Sequence, residues 1–224
     1  MERKILNNVV SMEGVIMSPF NFSHEVFGEG FYTVTLRVPR LSDQNDDIMI
    51  VVSERLIDVK EDMTDVKVRI QGQFRSYNQN DGERNHLVLS VFAREVDFLD
   101  SDQAVSGTQN EIYLNGYVCK SPIYRKTPLG REITDILIAV NRSYGKSDYI
   151  PCIAWGRNAR FSAEFEIGTH VEIWGRIQSR EYNKKLNDSE TEKRVAFEVS
   201  ISKLDVFPYF MDEQTNEQID EEKS

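Results

Sequence analysis

The feature that most constrains the fold of this chain is an internal repeat with an offset of about 102 residues. The segment 72–77, Gly-Gln-Phe-Arg-Ser-Tyr, recurs at 175–182 as Gly-Arg-Ile-Gln-Ser-Arg-Glu-Tyr. Gly14 corresponds to Gly116, and the segment 36–40 corresponds to 138–142 at the same offset. A nearly constant offset over separate features indicates one fold that is used twice in tandem.

The length of 224 residues fits two domains of about 100 residues each and a tail. We predict an N-terminal domain at 1–100, a small polar linker at 101–110, a C-terminal domain at 111–208 and a tail at 209–224. The tail is acidic and poor in apolar residues, so it cannot repay the entropy of ordering and is predicted to be disordered.

Composition narrows the class of protein further. The sequence has no apolar run of about 18 residues and no apolar segment of a signal peptide at its start, which predicts a cytoplasmic protein without a membrane span. The two cysteines, Cys119 and Cys152, fall in strand-like apolar runs and are predicted to be free thiols. No metal-binding or phosphate-loop motif occurs, so we expect no cofactor, no metal and no enzymatic activity.

Period-two alternation of apolar and polar residues dominates both copies. Each copy contains five predicted strands and one short helical segment between the third and fourth strand, which is the element order of a five-stranded Greek-key OB barrel. A generic β-sandwich is the alternative, but a glycine early in the first strand favours a small barrel that must bend sharply. The sequence therefore predicts an all-β protein of two tandem OB barrels. The predicted strands are 9–16, 31–38, 47–52, 66–72, 87–92, 111–118, 133–141, 149–154, 170–177 and 194–202, with helices at 56–63 and 158–165 and a hairpin turn at 80–82.

The net charge of −10 is unevenly distributed. Residues 1–104 carry −7, residues 105–207 carry +2 and residues 208–224 carry −5. An acidic protein is an unusual nucleic-acid binder, but the asymmetry indicates that a polyanion would be tolerated on the second domain.

Five blocks of the second domain resemble one family. At Asn115-Gly116 and in the segments 127–130, 139–142, 149–159 and 175–182, the chain is similar to the bacterial single-stranded DNA-binding protein family, which has the OB fold. The resemblance covers residues 111–207, and residues 7–99 resemble the family more faintly, through the repeat.

The resemblance implies a site for single-stranded DNA. Members of the family stack bases on aromatic side chains set among basic residues, and the matching aromatic positions are Tyr149, Trp155 and Tyr182. An aromatic ring accepts any base because every base has a π-face, and basic neighbours hold the phosphates. A single basic residue is more often a surface charge than a contact, and Trp174 is predicted to be core or interface. The basic candidates are Arg125, Lys126, Arg131, Arg142, Lys146, Arg157, Arg180, Lys184 and Lys185.

The first copy lacks these aromatics at the matching positions, which are Asp47, Ser53 and Gln79. Its weaker candidates for DNA contact are Arg40, Arg55, Arg75 and Tyr77. We therefore predict that the second domain carries most of the DNA affinity and that the first is mainly structural. An aromatic cluster near the first strand lies among acidic residues and is predicted to pack against the second domain, a second chain or a protein partner. The cluster is Phe20, Phe22, Phe27, Phe31 and Tyr32, with Glu25 and Glu29.

The resemblance also implies assembly and partners. Two-barrel members form homodimers that present four barrels and protect single strands in DNA replication, recombination and repair at the nucleoid. The family tail ends in a hydrophobic anchor for replication and repair proteins, whereas residues 219–224 are Ile-Asp-Glu-Glu-Lys-Ser, which puts that recruitment in doubt. The alternative function is an OB-fold protein-interaction module, or a primosome-type paralogue, with little strand-binding activity.

Overall fold

The computed structural model describes residues 6–40, 42, 44–80, 85–100, 110–185 and 191–207, with no side-chain description at 80, 85, 181–185 and 192–194. The predicted linker up to residue 109, most of the predicted turn at 80–82 and the predicted tail lie outside the described residues. No helix in the described ranges is long and apolar enough to cross a membrane.

The first copy forms a closed barrel, here called the N barrel. Strand β1 pairs in antiparallel fashion with both β3 and β5, and β4 pairs in parallel with β6, which closes the sheet on itself. Antiparallel pairs β3–β4 and β5–β6 complete the ring. The strands are β1 Asn8–Ile16, β2 Asn21–Val26, β3 Glu29–Pro39, β4 Asn45–Ser53, β5 Lys67–Asn80 and β6 Asn85–Phe98.

The second copy, here called the C barrel, repeats this pairing. Strand β7 pairs with β8 and β10, and β9 pairs in parallel with β11. The all-β prediction and the tandem arrangement are confirmed. The elements are β7 Asn110–Lys126, β8 Glu132–Asn141, β9 Ser147–Trp155, α1 Arg157–Ser162, β10 His170–Lys185 and β11 Thr191–Phe207.

Two local predictions for the first copy are wrong. The segment 56–63 forms turns instead of a helix, because Asp58 Oδ1 accepts a hydrogen bond from the Lys60 amide and Asp62 Oδ1 accepts one from the Thr64 amide, both at 3.0 Å. Such local side-chain bonds compete with helical ones. The N barrel also has a sixth strand, β2, which pairs with β3 as a hairpin. In the C barrel the single long strand β7 takes the positions that β1 and β2 take in the N barrel.

The alternation of the strands decides which side chains reach the surface. Ile150, Cys152 and Ala154 of β9 are buried in the C barrel core, so the odd-numbered residues 149–155 face outward. On β4, Ile48, Ile50 and Val52 are buried in the same way.

Gly14 and Gly116 each sit where the first strand of a barrel bends to meet two neighbours. A Cβ atom on Gly14 would lie 2.5 Å from the carbonyl oxygen of Arg37, and one on Gly116 would lie 2.5 Å from that of Ala139. No other residue fits so close an approach of backbone to backbone. The glycines predicted to mark a bend are therefore required by packing.

Strands β1 and β7 pair with each other and join the two barrels into one sheet. The Asn8 side-chain amide bonds both backbone groups of Phe74, at 2.7 and 2.8 Å. Asn110 does the same with Ile177, at 2.7 and 2.9 Å. At these points the backbone of β1 or β7 pairs with the other barrel, and the asparagine side chain takes its place as hydrogen-bond partner. The backbone groups of Phe74 and Ile177 are therefore satisfied.

Two buried aspartates lock the barrels together, and we call each arrangement a carboxylate clamp. Asp46 of the N barrel accepts hydrogen bonds from Arg40 at 2.5 Å and from the backbone amide of Ser179 in the C barrel at 2.7 Å. Asp148 of the C barrel is bound by Arg142 and accepts the backbone amide of Ser76 in the N barrel at 2.7 Å. Since buried carboxylates need full compensation, each clamp ties one barrel to a strand of the other.

Candidate nucleic-acid interface

Strand β9 presents two aromatic side chains on its outward face. Tyr149 is 45% exposed and Trp155 is 36% exposed. They are six residues apart, which places them on the same face about 20 Å from each other. The Trp155 indole Nε1 donates a hydrogen bond to Ser200 Oγ of β11 at 3.2 Å, which anchors the ring across the neighbouring strand. The backbone amide of Tyr149 donates to Ser76 Oγ of the N barrel at 2.7 Å.

Three predicted residues of the hairpin β10–β11 cannot be placed as side chains. Tyr182, Lys184 and Lys185 belong to β10, but their side chains lie outside the described residues. Their contribution to a site stays a prediction.

Four predicted basic residues are exposed around this aromatic surface. One ends β7, one precedes β8, one precedes β9 and one begins α1, two residues after Trp155. None of the four forms a salt bridge with a carboxylate that the structure describes, although Lys126 lies opposite Glu132 across the β7–β8 pair. Their charges are therefore available to an anion. The four are Lys126, Arg131, Lys146 and Arg157.

Arg125 and Arg180 are exposed but already paired. Arg125 binds Asp135 through two hydrogen bonds of 2.6 and 3.1 Å, and this bonding raises the pKa of its guanidinium. Arg180 lies 3.9 Å from Glu198. Ion pairs at the surface are weak, so a phosphate can compete for either arginine.

Arg142, Arg40 and Arg75 bind buried carboxylates at the junction of the two barrels. Arg142 and Arg40 bind the clamp aspartates, and Arg75 donates to Asp148 at 2.9 Å across the barrel junction. Burial lowers the pKa of Arg75. For these three residues the geometry favours a structural role in joining the barrels over contact with phosphate, because their charge is needed by a buried carboxylate.

The remaining candidates of the N barrel lie at the surface. Arg55 is exposed and pairs with Glu29 at 3.2 Å, and Tyr77 is exposed on β5. Asp47 and Ser53 take the outward positions of β4 that Tyr149 and Trp155 take on β9, and Asp47 is bound to Arg37 at 2.7 Å. The part of β4 that matches the aromatic surface of β9 therefore carries no ring.

The aromatic cluster of the first copy divides into two groups. Phe20 and Tyr32 pack against the N barrel core. Phe27, which is fully exposed, and Phe22, which is largely exposed, stand on the hairpin β2–β3. The exposure of these two rings shows that they do not pack against the second domain of this chain, and Phe22 contacts Tyr32 instead, with ring centroids 5.6 Å apart. Packing against a second chain or a protein partner stays a prediction.

Tyr144 is an exposed ring that was not among the sequence-based candidates. It is 99% exposed in the short 3₁₀ turn Ser143–Gly145, with a φ of 63°, and Lys146 lies between this turn and β9. An aromatic residue flanked by serine and glycine in a predicted loop was the available clue, since loops of polar and small residues seldom bury a ring.

Taken together, β9 and its flanking loops offer flat apolar faces framed by unpaired cations. Rings hold planar groups by stacking and the cations hold phosphates, so the surface suits an extended strand of nucleotides. Within the described residues there is no group of three or more His, Cys, Asp or Glu side chains that could hold a metal ion.

Known sequences match the part of the chain that forms the C barrel. The family described as "Single-strand binding protein family" matches residues 109–207. Single-stranded DNA-binding protein B of Bacillus subtilis is 32% identical over 83 residues, which cover 34% of this chain and 74% of that protein. Single-stranded DNA-binding protein 2 of Listeria innocua is 34% identical over 80 residues, which cover 33% of this chain and 50% of that protein. The chain thus spans about half the length of several relatives that it matches.

Comparison with solved structures covers both barrels. The wild-type single-stranded DNA-binding protein of Thermus aquaticus aligns with a TM-score of 0.69 at 18% identity, over 90% of this chain and 93% of that one. A deletion mutant of the same protein aligns with a TM-score of 0.67 at 19% identity, over 91% and 97%. At this identity the likeness establishes the fold, which is a tandem OB fold, and nothing more.

The sequence match covers almost three quarters of the Bacillus protein, and the fold extends to both halves of the chain. The chain belongs to the single-strand binding protein family.

Proposed function

We propose that this protein binds single-stranded DNA without sequence preference and protects it during replication, recombination and repair. The observation that carries the proposal is the pair of exposed rings, Tyr149 and Trp155, on one face of β9. A ring accepts any base, at about 1–3 kcal/mol per stacked base, so two rings on one strand favour binding that is independent of sequence.

The C barrel is proposed to carry most of the affinity. Lys126 and Arg131 lie beside one end of the ring surface, Lys146 and Arg157 flank β9 itself, and Tyr144 adds an exposed ring next to Lys146. Cations at both ends of the ring surface allow the sugar–phosphate backbone to follow β9 while bases stack on it. The proposed activity is binding and not catalysis, and its place is the nucleoid in the cytoplasm, where such strands arise.

We further propose a homodimer that presents four barrels. Strands β7, β10 and β11 form a sheet whose outer side carries Tyr113 and Trp174, with ring centroids 5.2 Å apart, and Lys203 Nζ 4.0 Å from the Trp174 ring. A second copy is the partner that would cover these rings. Light scattering after size exclusion should give twice the mass of the chain, and a monomer would contradict this assembly.

The test of DNA binding uses the full chain, because the two barrels share a sheet and two clamps and separate halves would expose them. Titration of a fluorescein-labelled oligo(dT) at low salt should give saturable binding. Tyr149→Ala and Trp155→Ala should each weaken it by about 5-fold to 100-fold, which corresponds to the loss of one stacked base.

Phe27→Ala is the matched control, since it removes a fully exposed ring that lies outside β9, on the hairpin β2–β3. It should leave the affinity for oligo(dT) within about twofold. If the parent chain does not bind oligo(dT) even at low salt, the proposal is wrong, and a role as an OB-fold protein-interaction module takes its place.

A further inference from the structure

The N barrel carries a row of stacked side chains on its outer surface, which we call the aromatic ladder and define as His24, Phe31, Phe92 and Arg94. The His24 and Phe31 rings stack with centroids 5.0 Å apart and an interplanar angle of 10°. The Phe31 and Phe92 rings follow at 5.6 Å, and the Arg94 guanidinium carbon lies 5.0 Å from the Phe92 centroid. His24 and Arg94, the two ends of the ladder, are exposed.

These rings point away from the core. Phe92 stands between Val91 and Ala93, both of which are buried in the barrel, so its side chain faces outward. Phe31 is opposite Ser53 on β4, and the inward residues of its own strand begin with Tyr32 and Val34. Both phenylalanines are partly exposed, although rings of this size are usually covered by the protein.

The ladder lies at the same point of the fold as Trp155. In the N barrel Val51 is the register partner of Phe92, and in the C barrel Ile153 is the register partner of Ser200. Phe92 therefore holds the place of Ser200, the residue on which Trp155 rests, and Ser53 holds the place of Trp155. The large ring and the small residue have exchanged strands between the two barrels.

One acidic residue close to the ladder, Glu29 on β3, already has partners. Glu29 accepts a hydrogen bond from Ser53 Oγ and pairs with Arg55 at 3.2 Å. Arg94 donates one hydrogen bond to Gln73 at 3.2 Å, which is a neutral partner, so its positive charge is not cancelled there.

We propose that the aromatic ladder of the N barrel is a second stacking site for the bases of single-stranded DNA. A base takes the face of Phe92 that Arg94 covers in the free protein, and the released guanidinium binds the adjacent phosphate. Arginine suits both positions, since its plane stacks on rings and its fork matches phosphate. The inference rests on the proposed function and extends it to a barrel whose matching strand positions carry no ring.

The test uses the full chain and an oligo(dT) of about 32 nucleotides, long enough for two barrels at a site size of about 16 nucleotides each. Phe31→Leu and Phe92→Leu keep the apolar volume and remove the ring, and each should weaken binding by about 5-fold or more. Phe27→Leu is the matched control: it removes a fully exposed ring on the same hairpin that lies outside the ladder, and the affinity should stay within about twofold.

Photocrosslinking of the unsubstituted chain to oligo(dT) that contains 5-iododeoxyuridine locates the contact without any variant. Crosslinks to the peptides of Phe31 or Phe92 support the ladder site, even if a leucine variant fails to fold. The site is excluded if the parent binds and Trp155→Ala weakens binding, while both leucine variants bind like the parent and crosslinks fall only in the C barrel. Absence of any binding by the parent overturns the proposed function itself and this site with it.

Discussion

The two barrels put an aromatic ring on the same patch of surface but take it from different strands. In the C barrel Trp155 of β9 reaches across to Ser200 of β11. In the N barrel the small residue is Ser53 on β4 and the ring is Phe92 on β6, which contacts Phe31. Trp155 and Phe92 do not align with each other in sequence, yet their rings lie on the same patch of the two barrels, because neighbouring strands share one outer face.

A second exchange occurs at the clamps. Arg75 of β5 donates to Asp148 at 2.9 Å and is also bound to Gln73. In the other copy the order is reversed, and Arg176 of β10 donates to Asp46 at 3.4 Å and to Gln178 at 3.1 Å. Residues i and i+2 of a strand share a face, so arginine and glutamine can change places while the clamp keeps its charge. Burial lowers the pKa of both arginines.

The largest expected effect concerns the two carboxylate clamps. Asp46→Ala and Asp148→Ala each remove a buried carboxylate and leave two partly buried arginines and a backbone amide of the other barrel without their partner, and each should lower the free energy of unfolding by about 3–5 kcal/mol. Urea denaturation followed by circular dichroism measures both. Asp47→Ala removes the neighbouring exposed ion pair and should cost less than about 1 kcal/mol. If one variant loses much more unfolding free energy than the other, the junction between the barrels depends mainly on one of the two clamps.

The next effect concerns the bends of β1 and β7. Gly14→Ala and Gly116→Ala each push a methyl group against a backbone carbonyl, and both should destabilise the protein by about 1–3 kcal/mol. Thermal unfolding gives the comparison, with Ser11→Ala on β1 as the control, which should stay within about 0.5 kcal/mol. If only one glycine variant is destabilised, the two barrels do not share this packing constraint.

A third prediction concerns a pair of substitutions that transfers the ring of the C barrel from β9 to β11, the strand that corresponds to β6 of the N barrel. Trp155→Ser should weaken oligo(dT) binding by about 5-fold or more, because a stacking face is lost. Adding Ser200→Phe to that variant should recover part of the affinity in fluorescence anisotropy. A double variant that binds no better than Trp155→Ser would mean that the strand on which the ring stands does matter.

The smallest expected effect separates the cations by position. Lys146→Gln should reduce the slope of log affinity against log salt by about 0.7, which corresponds to one phosphate contact on a single strand. Lys203→Gln, on the sheet side that carries Trp174, should leave the slope unchanged in the same titrations. Equal changes for both lysines would indicate that the overall charge of the protein, and not the surface around β9, controls the salt dependence.

The fold could be predicted from the sequence to a large extent. The repeat, the period-two pattern and the position of Gly14 and Gly116 predicted two similar barrels, because burial on one face of a strand leaves a regular trace in the chain. Tyr149 and Trp155 were named because they match the aromatic positions of the family, and the structure shows that both are exposed. The helix at 56–63 was wrong because Asp58 and Asp62 bond nearby amides, an effect that a pattern of apolar residues does not contain.

The candidate site was harder to predict wherever a role depends on distant contacts. Arg142 and Arg40 were assigned to phosphate since they stand in basic or repeated segments, yet each binds a buried aspartate next to a strand of the other barrel. Phe31 and Phe92 are 61 positions apart in the chain, and the sequence does not reveal that their rings touch.

The sequence by itself determined the number of barrels and the order of the five strands that the two copies share, because these follow from local alternation and from the repeat. Only the tertiary structure decided which charges remain free and where the N barrel places its rings. Pairing of β4 with β6 and of β1 with β7 brings together residues that are far apart along the chain. Contacts of that kind depend on register and closure, which no single stretch of sequence contains.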